Sequence, residues 1–326
     1  MPKLNMVQAI NLALRQEMAK DDRVLVLGED VGVDGGVFRV TEGLYEQFGQ
    51  ARVLDTPLAE SGIIGTAIGM ALAGLRPVAE MQFDGFSYLM IPQLEGNASR
   101  YRSRTQSRWT VPLVVRVPYG GGVRALEHHS ESREAIYAMI PGVKTVVPSG
   151  PRNARALLVA AIRDPDPVVF LEPKRIYRAF REDVPEEEEV LEIGKARVIQ
   201  EGADLTVITW GAMVHVTLPA VEEVQKRRGV KIEVIDLLTI SPLDSDPIIA
   251  SVKKTGRCVV VQEAPRSFEV SSEVVARIND QALLYLEAPI KRITGYDVVT
   301  PYFGRELMYI PDQKRIAQGI EETLDF

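Results

Sequence analysis

One cysteine in 326 residues, Cys258, removes two classes of explanation at once. A disulfide framework needs pairs, and a cysteine-based zinc site needs several thiolates. Cys258 sits in the run RCVVVQE and reads as an inert core thiol. Histidine is nearly as scarce: His128, His129 and His215 are the full set. No further His or Cys stands at ligand spacing around them, so no zinc pattern forms. No apolar run approaches the roughly 20 residues of a membrane span. The opening residues lack the positive cluster and apolar stretch of a secretory leader. Excess positive charge is missing too: the formal net charge is −7, which argues against nucleic acid as a partner. Nucleophile elbow, dinucleotide fingerprint and Walker phosphate loop are likewise absent. The expectation is a cytoplasmic protein that binds neither membrane nor nucleic acid.

What the chain does have is alternation. Aliphatic, strand-like runs (RVLVLGE, RPVAEMQF, PLVVRVP, VKTVVPS, DPVVFLE) are separated by helical patterns such as residues 85–104 and 151–164. Continuous apolar strands between helices indicate parallel sheets covered on both faces. Residues 6–20 form an amphipathic helix capped by Asn5, with Val7, Ile10, Leu14 and Met18 on one face. A polar, acidic stretch over 177–190 breaks the rhythm, which resumes with DLTVITW, VKIEVIDL, GRCVVVQEA and PIKRITG. The pattern predicts an α/β chain of two doubly wound, three-layer domains: residues 1–185, an acidic linker at 186–194, and residues 195–326. The four glutamates at 186–189 are expected to be solvated.

Chemistry concentrates in the run DTPLAESGIIGTAIGMALAG. A strand breaks at Pro57, and Glu60 then opens a helix of small and aliphatic residues with Gly62, Gly65, Gly69 and Gly74 spaced through it. Glycine inside a helix costs about 1 kcal/mol relative to alanine. Such residues allow close approach by another backbone or a flat ligand, and a helix apolar all round should be buried. Glu60 reads either as a carboxylate complementing the helix dipole or as an acid at the lip of a buried element. His128 and His129 follow the loop Gly120–Gly122. On local grounds either one is an acid/base and the other packs, or both are loop residues; on extended backbone the two rings would face opposite ways. His215, at a helix start, reads as structural.

Taken together, MVQAIN, LGEDVG, GGVFRVTEGL, DTPLAESGIIGTAIGMALAGLRPVAEMQF, PLVVRVPYGGGV, HHSES, DPDPVVFLEPKRIYR and KTGRCVVVQEAPR cover most of the chain. They resemble the beta subunits of the thiamine-diphosphate-dependent decarboxylating component of 2-oxo acid dehydrogenase complexes. The resemblance implies an N-terminal pyrimidine-binding domain and a C-terminal transketolase-C-like domain. It implies that Glu60 shares a proton with the cofactor's aminopyrimidine N1′, with Phe86, Gln82 and Leu58 beside the ring. In the HS-x-S motif it selects His129, which steers protons while an acyl group passes to a lipoyl arm. It also implies a potassium ion held by Val111, Leu113, Val114, Ala161, Asp164 and Asp166. The GDG motif and downstream Asn pair that bind the cofactor's Mg²⁺ in such enzymes are missing, since VDGG and FDGF have no Asn pair after them. An alpha subunit is therefore expected to hold the Mg²⁺ and share the thiamine diphosphate, in a heterotetramer of two alpha and two beta chains. A dihydrolipoyl acyltransferase core and its lipoyl domain are the further implied partners. Pro92 stands where the family often carries an acid. An acetoin dehydrogenase beta subunit and a non-catalytic beta-like scaffold are the alternatives.

Overall fold

The computed structural model describes all 326 residues and contains no helix long and apolar enough to cross a membrane. Two sheets dominate. The first has seven strands, running from one edge as Thr239–Ser241, Lys144–Val146, Val168–Pro173, Val114–Tyr119, Arg76–Glu80, Val24–Gly28 and Val53–Asp55. All its pairings are parallel except that of Thr239–Ser241 with Lys144–Val146. The second has five strands, in the order Lys291–Ile293, Cys258–Val261, Leu205–Thr209, Ile232–Asp236 and Arg197–Gln200, with only the last antiparallel.

Alternate residues of the first sheet enter different cores, because successive side chains leave a strand on opposite faces. Val114, Val168 and Phe170 pack with Ile10, Leu14 and Leu157 from the helices Met6–Lys20 and Pro151–Arg163. Val115, Val169 and Leu171 pack with Ile64 and Ile68 from the helix Glu60–Leu72. The predicted N-terminal helix forms as expected, with Val7, Ile10, Leu14 and Met18 buried. Its cap is reciprocal: Asn5 Oδ1 accepts from Gln8 N–H at 3.0 Å, and Gln8 Oε1 accepts from Asn5 N–H at 3.2 Å.

Several features depart from the sequence reading. The stretch 85–104 is not one helix but a series of short turns and helices interrupted near Pro92 and Gly96. The helix Glu60–Leu72 is not buried all round: Gly62, Thr66, Gly69 and Ala73 form an exposed row along it. The acidic stretch is solvated but fastened. Glu188 pairs with Lys20 at 2.6 Å and Arg163 at 2.9 Å, and Glu189 with Arg152 at 2.8 Å. These cations hold the Glu188 carboxyl down at about 2.

The two halves share structure. Thr239–Ser241, well past the acidic stretch, supplies an edge strand to the first sheet. The cluster containing Val115 and Leu171 continues through Trp210, Ile208, Ile235 and Val260 of the second half. Trp210 Nε1 donates to the buried Glu134 at 3.0 Å. His215 is structural, as expected: its Nε2 lies 2.6 Å from the Ser149 carbonyl and its ring packs on Phe180.

Candidate active site

In an open α/β sheet the usable crevice lies at the carboxyl ends of the strands, where the strand order reverses. In the first sheet that point falls between Val24–Gly28, which leads into Glu29 and Asp30, and Arg76–Glu80, which leads into Met81 and Gln82. The neighbouring strand Val53–Asp55 leads through Pro57 to Glu60. Parallel register thus brings three separate sequence motifs to one rim.

Glu60 occupies the first turn of its helix, 1 % exposed, with Oε2 buried and unpartnered. A buried carboxylate oxygen without a hydrogen bond is costly, so the site is complete only when a donor or a shared proton arrives. Glu29 is a second buried carboxyl beside Glu60 that sequence reasoning missed. Its carboxyl is also buried with an unpartnered Oε2, and burial first, then the charges of Glu60 and Asp30, push it up to about 7. The LGED motif contains it, but only the strand register puts it beside Glu60. Gln82 is held by Asp30, its Nε2 donating to Oδ2 at 2.9 Å. Leu58, 76 % exposed, projects at the rim without packing on the chain. Nothing within this chain explains the helix glycines: a Cβ on Gly62 would meet only Ala59, and one on Gly69 nothing. Gly62 and Thr66, with Leu54, Pro57 and Met70, line an open groove of about 300 Å³.

Phe86 lies on the short turn Asp84–Leu89, which packs between the Glu60 helix and the turn Glu127–His129. Its ring centroid is 5.4 Å from that of His129 and 5.5 Å from that of His128. Phe83 approaches His129 edge-on at 4.2 Å. The expectation that the two histidines face apart is corrected: their rings are 4.2 Å apart. Residues 127–129 form a tight 3₁₀ turn rather than extended backbone, so successive side chains leave about 120° apart instead of on opposite faces. His129 Nδ1 is buried and unpartnered. Burial, the nearby His128 and Lys174 all push its pKa down, with Glu127 opposing. The turn carrying Phe86 thus touches both the Glu60 helix and the histidine turn, and the groups gathered there are a buried carboxyl with a free oxygen, an aromatic ring and an imidazole of lowered pKa.

The residues expected to hold potassium gather where the chain enters Val114–Tyr119 and Val168–Pro173. Their carboxylates are already neutralised: Asp164 by Lys144 at 2.6 Å and Asp166 by Arg102 at 2.7 Å. The carbonyls of Val111, Leu113 and Ala161 each accept a backbone N–H. The side chains do not fit a cation, and only second lone pairs on carbonyls are left for one. Pro92 opens the helix Ile91–Gly96, where the next residue, Gln93, reaches Ser61.

Comparison with known proteins places the fold and the family. Residues 2–179 match the transketolase pyrimidine binding domain and residues 194–316 the transketolase C-terminal domain. A solved structure of a split-gene transketolase, an inactive beta4 tetramer, superposes with a TM-score of 0.79 over 99 % of both chains at 19 % identity, which shows the shared fold. Fold and site thus define a chain of the transketolase-type, thiamine-diphosphate-dependent class. Among curated proteins it is 52 % identical, over the full length of both chains, to the pyruvate dehydrogenase E1 component subunit beta of Bacillus subtilis. The corresponding Acholeplasma laidlawii subunit is 49 % identical over 98 % of this chain and 97 % of its own. The chain belongs to the family of pyruvate dehydrogenase E1 component beta subunits, oxidoreductase components of 2-oxo acid dehydrogenases.

Proposed function

We propose that this chain supplies the aminopyrimidine half of a thiamine diphosphate site and, joined by an alpha subunit holding the Mg²⁺ and the diphosphate, oxidatively decarboxylates pyruvate and passes the acyl group to a lipoyl arm. The observation that carries this reading is the Glu60 carboxyl, buried with one oxygen left without a partner, on a helix packed against the turn that carries Phe86. Bound thiamine diphosphate supplies the electron sink for loss of carbon dioxide. Glu60 offers its free Oε2, out of bulk water, as a partner for a ring nitrogen. Glu29 stays largely protonated below about pH 7, which spares Glu60 a second negative charge beside it. Phe86 and Leu58 offer apolar surface to the ring, and Gln82 is held at the rim by Asp30. His129, kept neutral by its surroundings, accepts and returns protons during acyl transfer.

The same reading assigns the chain to a cytoplasmic assembly of two alpha and two beta chains that docks on a dihydrolipoyl acyltransferase core. The resemblance's potassium would rest on backbone carbonyls alone. A rise in unfolding temperature in KCl over NaCl at equal ionic strength checks it. Names of the relatives and the joint presence of Glu60 and His129 give no support to an acetoin enzyme or a scaffold.

The test is reconstitution. The chain alone should decarboxylate no 2-oxo acid, and adding the alpha subunit should restore turnover. Glu60→Gln in the assembled enzyme should keep fold and assembly yet lose roughly 10²–10⁴-fold in rate, the scale of a general acid–base step. Turnover by the isolated chain, or a fully active Glu60→Gln enzyme, overturns the reading.

A further inference from the structure

We propose that Glu263 and Glu306, both from the second domain, are positioning residues for His129: they grip the loop that carries it and set its conformation. This rests on the proposed role of His129 in acyl transfer. The loop runs from Gly120 to Arg133 and has no regular structure beyond the turn Glu127–His129. Gly120, Gly122 and Arg124 all adopt left-handed backbone. A connection of this length without its own hydrogen-bonded framework needs anchors from elsewhere.

Both anchors are carboxylates. Glu306, fully buried, accepts from Gly122 N–H through Oε1 at 2.8 Å and from Arg124 N–H through Oε2 at 2.9 Å. Glu263 Oε1 accepts from Gly121 N–H at 2.5 Å and from the Ser132 hydroxyl at 3.0 Å. One carboxylate thus holds the loop's first turn and the other ties that turn to its far end, with His129 between. The loop closes on itself as well, Gly120 N–H donating to the Glu131 carbonyl at 2.8 Å. Glu263 follows the strand Cys258–Val261, at the point where the second sheet reverses its strand order. The crevice in which such a sheet would ordinarily seat a ligand is occupied here by the first domain's loop.

The charge arrangement supports a positioning role. Neither carboxylate has an arginine or lysine within salt-bridge distance. Lys174 is buried nearby with Nζ unpartnered, and burial pushes its pKa down to about 8, with Asp84, Glu263 and Glu306 opposing. The carboxylates therefore draw most of their compensation from loop N–H groups, and bonds of that kind are about twice as strong as neutral ones. A Cβ on Gly121 would press on Glu306 Oε1 at 2.9 Å and Ile310 Cδ1 at 3.0 Å, so the loop lies directly against the glutamate.

The test uses the assembled enzyme and three readouts: amide hydrogen exchange over 120–132, cofactor affinity, and lipoyl-domain acylation against decarboxylation followed with an artificial electron acceptor. Glu306→Ala should speed exchange at Gly122 and Arg124 by roughly tenfold or more, the loss of one charge-assisted hydrogen bond each. Acylation should fall toward the level of His129→Ala, while cofactor affinity stays within about twofold and decarboxylation falls less. Glu306→Gln keeps one acceptor oxygen and should lie between wild type and alanine, and it carries the test if the alanine variant does not fold. Unchanged exchange, or faster exchange with acylation intact while His129→Ala abolishes it, overturns the proposal. Should His129→Ala itself acylate normally, the assigned role of His129 fails, and the exchange result still decides whether the carboxylates hold the loop.

Discussion

The carbonyl of His128 occupies the space that a β-carbon on Gly85 would need. Gly85 is the residue before Phe86, so a single backbone contact sets the distance between the aromatic wall and the histidine turn. Ordinary backbone conformation at Gly85 (it is absent from the left-handed positions) means that the constraint is contact alone. The contact also explains why an otherwise unremarked glycine sits inside QFDGF.

Gly85→Ala should push the histidine turn away from Phe86. Overpacking of this kind costs about 1–3 kcal/mol, so a lower unfolding midpoint should accompany loss of acyl transfer. Equal stability and equal activity would show that the turn yields without consequence.

The two neighbouring histidines should play different parts. His129→Ala should lose most acyl transfer. His128→Ala should retain it but move its acidic limb to higher pH, because His128 is one of the groups holding the His129 pKa down and its removal lets that pKa rise. A pH profile of lipoyl acylation, with the His129 ring followed by NMR, reads the shift directly.

Glu29 should leave a mark on stability. Its folded pKa, about 7, stands above the ordinary glutamate value of 4.5. The folded state therefore binds more protons in that interval, and its contribution is full below about 4.5 and lost as pH rises through 7. Unfolding midpoints of the isolated chain should decline across this window. Glu29→Gln should flatten the decline, and an identical slope in the variant would remove Glu29 as its source.

Arg116 lies fully buried in the first sheet between Glu80 at 2.5 Å and Glu172 at 2.6 Å, and the Tyr177 hydroxyl donates to Glu172. Arg116→Ala should cost about 3–5 kcal/mol by stranding two buried acids. Denaturant titration checks this, and adding Glu80→Gln and Glu172→Gln should recover part of the loss.

The sequence carries the first helix and its cap, the parallel alternation and the carboxylate at Glu60, because each depends on residues a few positions apart. Features made by distant contacts were not legible. Glu29 meets Glu60 only through strand register, and Glu306 meets Gly122 across the domain boundary. The facing of His128 and His129 was misread because a three-residue turn leaves no periodicity to detect. The helical reading of 85–104 took no account of Pro92 and Gly96, where the segment breaks.

The strand Thr239–Ser241 has a consequence for synthesis. A chain emerging from its N-terminus can assemble six strands of the first sheet long before the seventh exists. Until residue 241 is free, Lys144–Val146 is an open edge with unsatisfied backbone groups, a template for unwanted pairing. The nascent protein therefore passes through a stage in which its catalytic half is nearly built yet adhesive, and a pause between 186 and 241 would lengthen that exposure.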